Sequence, residues 1–252
     1  MYAVVGAGAL GYLTAHSIRE QFIIIDRDVV EDGNQWYRKE DASKPKVDII
    51  SRKLKNAQGI FMDINPASIS VLDRADVVID CTDNMYTRYI LNDYCNKTRK
   101  RFIFSGIDNT GYSVMHFFRS PCLRCIMPKS SDSFFCTGNI PESILKRAVK
   151  AQFSCPESYM IQGNRKFKIN KNPECKCCAK HNYEYLKSCS LMVSRSCDST
   201  YIIPRSSAHL AFKNKKTLMH NGISIIIFSN KAAIIKTADA EKSLKIYRKI
   251  VA

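Results

Sequence analysis

The chain has 252 residues, enough for one large domain or for a domain with a small annex. Apolar residues at 45% and charged residues at 25% exclude a disordered chain, and no apolar run approaches the roughly eighteen residues that a membrane span needs. Thirty-nine Lys and Arg against twenty-three Asp and Glu leave a net charge of +16, which draws acidic partners by long-range attraction.

The apolar run Tyr2–Val5 reads as a strand that ends in Gly6-Ala-Gly8-Ala-Leu-Gly11, and residues 12–21 read as a helix. Residues 22–25 form a second buried-type strand closed by Asp26. Helix is expected over 48–55, and a third strand over 75–79 ends in Asp80-Cys-Thr-Asp83-Asn84. Tyr89, Ile90, Tyr94 and Cys95 share one face of a helix over 86–98, and strands follow at 102–105 and 113–118. This alternation predicts an α/β fold, a doubly wound, Rossmann-like and mostly parallel sheet. Residues 142–151 read as helix, and 164–172 as basic and irregular. Past Pro204 a hairpin (222–228, a turn at 229–231, 232–235) and an amphipathic helix over 239–250 predict a small α+β annex. The expected domains are therefore 1–200 and 201–252.

Gly6-x-Gly8-x-x-Gly11 lies between a strand and a helix, where glycines let phosphates approach backbone N–H groups at the positive helix end. Asp26 follows Gly6 by 20 residues, at the place of a ribose-binding carboxylate. Alone, these features also fit a nicotinamide-dependent oxidoreductase. Asp83 closes a neighbouring strand and is placed to hold Mg²⁺ against phosphates, with Asn84, Arg88 and Lys46 as further phosphate contacts. Eleven cysteines, an odd number behind no basic leader, point to a reducing, cytoplasmic setting and to metal binding. Cys122-x-x-Cys125 and Cys175-x-x-Cys178 supply four thiolates for a structural Zn²⁺ that would staple segments 49 residues apart. Cys177 is either an intruding ligand or a spectator. The basic runs at 52–55, 97–101 and 213–216 lie apart and lack interleaved aromatics, so nucleic acid is not the expected partner.

The segments VVGAGALG (4–11), IIDRDVVEDGN (24–34), EDASKPKV (40–47), DVVIDCTDNMYTRYILNDYC (76–95), SGIDNTGYSVMHF (105–117), PCLRC (121–125) and NPECKCC (172–178) resemble the ThiF/MoeB/HesA family of ubiquitin-activating-like enzymes, in family order over about residues 1–178. The resemblance implies an ATP-dependent adenylyltransferase. It would activate the C-terminal carboxylate of a small ubiquitin-like sulfur carrier, of ThiS or MoaD type, as an acyl-adenylate. ATP, Mg²⁺ and Zn²⁺ are the implied cofactors. A homodimer and a sulfur donor, a cysteine desulfurase or a rhodanese, are the further implied partners. By match, Gly6, Gly8 and Gly11 line the phosphate loop, Asp26 meets the ribose, and Asp28 completes a D-x-D pattern. Lys46 would neutralise phosphates, Asp83 would hold Mg²⁺, and Asn34 and Asn84 would join the nucleotide site. Cys136 lies near where some members place a sulfur-accepting cysteine. The family's Asn-Leu-Asn-Arg-Gln stretch is reduced to Asn34-Gln35, leaving Arg38 as the candidate replacement for its arginine. That departure sustains an alternative, a degenerate member that binds carrier and nucleotide without turnover.

Overall fold

In the computed structural model, residues 1–31, 33–128, 140–187, 191–195, 199–204, 210–237 and 239–251 are described. The chain divides into two compact units, Met1–Leu186 and Lys187–Ala252.

The first unit is built on one eight-stranded sheet. Its strands are β1 (Tyr2–Val5), β2 (Phe22–Asp26), β3 (Ala57–Phe61), β4 (Val77–Asp80), β5 (Arg101–Asp108), β6 (Gly111–Phe117), β7 (Tyr159–Gln162) and β8 (Arg165–Lys168). They lie in the order β3-β2-β1-β4-β5-β6-β7-β8. The first five are parallel, and β6, β7 and β8 add antiparallel pairs. The helices are α1 (Ala9–Ser17), α2 (Lys46–Lys53), α3 (Met85–Thr98), the single turn α4 (Leu123–Ile126) and α5 (Glu142–Ser154). Right-handed crossovers that leave β1 toward β2 and leave β4 toward β5 place α1 and α3 on opposite faces. On one face Val4, Ile24 and Ile79 pack with Leu10 and Ala15 of α1, Val47 and Ile50 of α2, and Leu145 and Ala148 of α5. The chain winds outward from β1 in both directions, so a crevice opens beyond the carboxyl ends of β1 and β4.

Several boundaries differ from the sequence reading for physical reasons. α1 starts at Ala9 because Gly8 serves as its N-cap, and it ends where Ile18 turns extended. α2 starts at Lys46, directly after Pro45, whose fixed φ suits a helix entry. β3 was not expected: it is a sheet edge, half-exposed throughout, and carries no alternation to read. The basic stretch near 164–172 includes β8, whose four residues are all exposed, joined to β7 through Gly163 at φ +59.

The second unit is a five-stranded antiparallel sheet, with β9 (Leu191–Arg195), β10 (Thr200–Pro204), β11 (Lys216–His220), β12 (Ile223–Ile227) and β13 (Ala233–Ile235). The order is β11-β12-β13-β10-β9. Ile246 and Tyr247 of α6 (Ala240–Ile250) pack on Ile202, Ile225, Ala233 and Ile235, and the Asp239 side chain caps the helix by accepting from the Lys242 N–H at 3.0 Å. The expected division at 200 falls at the start of β10. The structure divides before β9 because β9 pairs along the whole of β10. Among the described residues no helix is long and apolar enough to cross a membrane.

Candidate functional site

The three glycines of the first loop have different reasons to be glycine. Gly6 has φ +96, and a Cβ there would lie 2.7 Å from the Cys81 carbonyl oxygen. A Cβ on Gly11 would lie 1.9 Å from the Gly6 oxygen. These two allow close packing of loop, helix and β4. A Cβ on Gly8 would meet nothing within 4 Å, so the loop is open there. No side chain caps α1, and the Gly8 carbonyl accepts the first helical bond from Tyr12 N–H at 2.8 Å. The N–H groups of the first turn have no intrahelical acceptor, and with the helix dipole they favour an anion.

Two carboxylates and a lysine stand at the end of β2. Asp26 accepts the Ala7 N–H with one oxygen and the Asp28 N–H with the other, at 2.7 Å. Each oxygen retains a lone pair for a further hydrogen-bond donor. Burial, reinforced by the charge of Asp28, pushes the Asp26 carboxyl up to about 6. Lys46 Nζ lies 2.9 Å from Asp28 Oδ2 in an ion pair that leaves the lysine only 8% exposed. Burial alone would lower its ammonium, but Asp28 and Asp26 hold it above the ordinary lysine range, so it is always a cation.

The segment between these groups carries a residue that sequence reasoning passed over. Tyr37 is buried, and its hydroxyl donates to the Ala7 carbonyl at 2.5 Å. Tyr12 of α1 packs against both Tyr37 and Trp36, with ring centroids 5.5 and 5.9 Å away. The only signal in the sequence was an aromatic pair inside a polar loop.

β4 lies beside β1 with Val5 opposite Asp80, so Gly8 and Asp83 each follow the end of adjacent parallel strands by three residues. Asp83 is exposed. The Asn84 side chain caps α3, accepting from Thr87 N–H at 3.2 Å, and Asn34 Oδ1 likewise accepts from Trp36 N–H at 3.1 Å. Both side-chain oxygens are thus committed to local backbone. Arg88 is not a phosphate contact. It is buried, ion-paired to Asp80 at 3.0 Å, bonded to the carbonyls of Thr82 and Ser105, and stacked over Phe104. Arg38 is exposed, and its guanidinium has no partner among the described residues.

The four cysteines converge. The Sγ atoms of Cys122, Cys125, Cys175 and Cys178 all lie within 4.8 Å of one another, with 3.6 Å between Cys122 and Cys175 and 3.4 Å between Cys125 and Cys178. Tetrahedral Zn²⁺ with bonds of about 2.3 Å needs sulfurs close to these separations, so the donor set fits that ion. Without a cation, four such thiols cannot all ionise. Cys125 is held below the usual thiol range by its bonds with Cys122 and Cys178, while bonding to Cys125 and to Cys122 pushes Cys122 and Cys178 above it. Cys177 stands outside the foursome and accepts from Asn92 Nδ2 at 3.4 Å. Arg124, between the first two cysteines, is 1% exposed and pairs with Asp93 of α3 at 3.1 Å and with Glu184. Cys136 lies outside the described residues.

The chain is 30% identical over 169 residues to the sulfur carrier protein ThiS adenylyltransferase of Bacillus subtilis, covering 58% of this chain and 50% of that one. It is 28% identical over 159 residues to the SAMP-activating enzyme E1 of Haloferax volcanii, covering 55% and 56%. The chain thus spans about half the length of the curated relatives it matches. Among solved structures, E. coli MccB with ATP superimposes at a TM-score of 0.54, and MccB with MccA-N7isoASN at 0.58. Both are 18% identical and cover 70% and 71% of this chain and 66% of theirs, a likeness of fold. The ThiF family model matches residues 1–224, and the chain belongs to the ThiF family.

Proposed function

We propose that the chain is an ATP-dependent adenylyltransferase that activates the C-terminal carboxylate of a ubiquitin-like sulfur-carrier protein of ThiS or MoaD type. One observation carries the reading. Three chemically distinct groups follow the carboxyl ends of adjacent parallel strands: the open Gly8 loop after β1, Asp26 and Asp28 with Lys46 after β2, and exposed Asp83 after β4. The names of the relatives support the same carrier chemistry.

In this reading the helix N-terminus and Gly8 loop receive the phosphates, and Asp26 accepts ribose hydroxyls. An oxygen of the carrier's terminal carboxylate attacks the α-phosphorus. The bond to the bridging oxygen of the β-phosphate breaks, and pyrophosphate leaves. Lys46 supplies a fixed positive charge, and catalysis is mainly positional and electrostatic. Mg²⁺, held by Asp83, would neutralise phosphate charge, and Zn²⁺ on Cys122, Cys125, Cys175 and Cys178 would be structural. The net charge of +16 would steer an acidic carrier toward the enzyme. A sulfur donor, a homodimer and a cytoplasmic setting complete the proposal.

A second reading, a member that binds carrier and nucleotide without turnover, is favoured by the arginines. The family arginine is missing after Asn34, Arg38 is exposed with no partner among the described residues, and Arg88 is locked beneath the crevice. Carrier-dependent exchange of radiolabelled pyrophosphate into ATP decides between them. Exchange with a sulfur carrier ending in a free carboxylate is expected. Binding of Mg·ATP with no exchange for any carrier would establish the second reading.

A further inference from the structure

Ala7 is the middle residue of the Gly6-Ala7-Gly8 turn, and side chains from beyond β1 hold both of its backbone polar groups. Its N–H donates to Asp26, and its carbonyl accepts from Tyr37 at 2.5 Å. In a trans peptide unit the carbonyl and the following N–H point in opposite directions. The hydroxyl that anchors the Ala7 carbonyl on the buried side therefore turns the Gly8 N–H to the other side. No acceptor among the described residues takes that N–H, and the space at Gly8 is open. Tyr37 is itself packed in, 7% exposed and edge-on to Tyr12 of the same helix that the loop enters. Burial and the Asp26 charge push its phenol up, so it remains a donor.

We infer that Tyr37 is a positioning residue for the phosphate loop, acting through the Ala7–Gly8 peptide unit to aim the Gly8 N–H at the phosphates of a bound nucleoside triphosphate. The inference rests on the adenylyltransferase reading and adds to it a residue that touches no substrate atom. The shortened loop after Asp28 thereby acquires a role, because the segment that lost the family arginine braces the phosphate loop from behind.

The test compares Tyr37→Phe with wild type by calorimetric titration of Mg·ATP and of adenosine. Removing one oriented bond should weaken Mg·ATP about tenfold and leave adenosine within about twofold, because adenosine has no phosphates to meet the loop. Tyr112→Phe is the control. It deletes another buried hydroxyl bonded to a backbone carbonyl, that of Gly163 at 2.8 Å, and should lower thermal stability with both affinities unchanged. Equal weakening of adenosine and Mg·ATP, or no weakening, overturns the inference. If Tyr37→Phe does not fold, amide exchange read by NMR on the wild-type protein replaces it. Mg·ATP should then slow exchange at Gly8, and unchanged exchange there overturns the inference. Wild-type protein that fails to bind Mg·ATP overturns the functional reading and this inference with it. Wild-type binding with an unaffected Tyr37→Phe overturns the inference alone.

Discussion

The crevice and the cysteine cluster sit along the same helix, yet they are held together by different means. At the start of α3 the crevice is an extension of the sheet: Gly6 N–H reaches the Ile25 carbonyl and Cys81 N–H reaches Val5, each at 2.8 Å. Further along α3, the cluster is side chains meeting side chains. Asn92 accepts the Leu123 N–H at 2.9 Å, Asp93 pairs with Arg124 and accepts from Tyr185 N–H, and four thiols face a common centre. A site made by backbone ladders is as stable as the fold that makes it. One made by clustered thiols depends on the charge placed among them.

The largest expected effect attacks the weaker of the two. Stripping the proposed Zn²⁺ with a strong chelator, or replacing Cys175 by Ser, should cost several kcal/mol, because the binding of a structural zinc is folding free energy. Thermal unfolding with metal analysis checks it, and Mg·ATP binding to the surviving sheet is expected to persist at low temperature. Loss of both together would show that the crevice leans on the cluster after all. An intermediate effect sharpens the crevice side. Asp83→Ala should lower carrier-dependent pyrophosphate exchange by about a hundredfold or more with an unchanged melting temperature, because the side chain is exposed and its proposed work is on phosphate charge alone.

The smallest effect is a pH dependence confined to the crevice. With its carboxyl raised from 3.8 to about 6, native Asp26 binds a proton that the unfolded chain still lacks between those values. Its contribution to stability therefore grows as pH falls through 6, levels off below about 4, and is lost as pH rises again. Nucleotide affinity should move the other way, weakening severalfold from pH 7 to 5 as the acceptor is neutralised. Titration of Mg·ATP across this range checks it, and Asp26→Asn should flatten the curve.

Motifs whose chemistry is local were legible in the sequence. The glycine loop, the acidic strand ends and the paired cysteines all lie where their spacing placed them, and Gly8 and Asp83 each lie three residues past the ends of neighbouring strands. What was not legible depends on contacts between distant segments. Arg88 looked like any cation one turn into a helix, and only the closure of β4 on β5 shows it buried against Asp80 and Ser105. Tyr37 gains meaning from a carbonyl thirty residues earlier. β3 and β8 are edges whose burial follows no period, so nothing in their pattern announced a strand. The boundary between units was hidden for a similar reason, since β9 belongs with β10 through pairing alone.

Trp36 is the chain's single tryptophan, and it stands beside Tyr37 against the ring of Tyr12. Its emission therefore comes from one place, the strap behind the glycine turn. The molecule carries a built-in optical probe there, and intrinsic fluorescence reads the surroundings of that strap without any label.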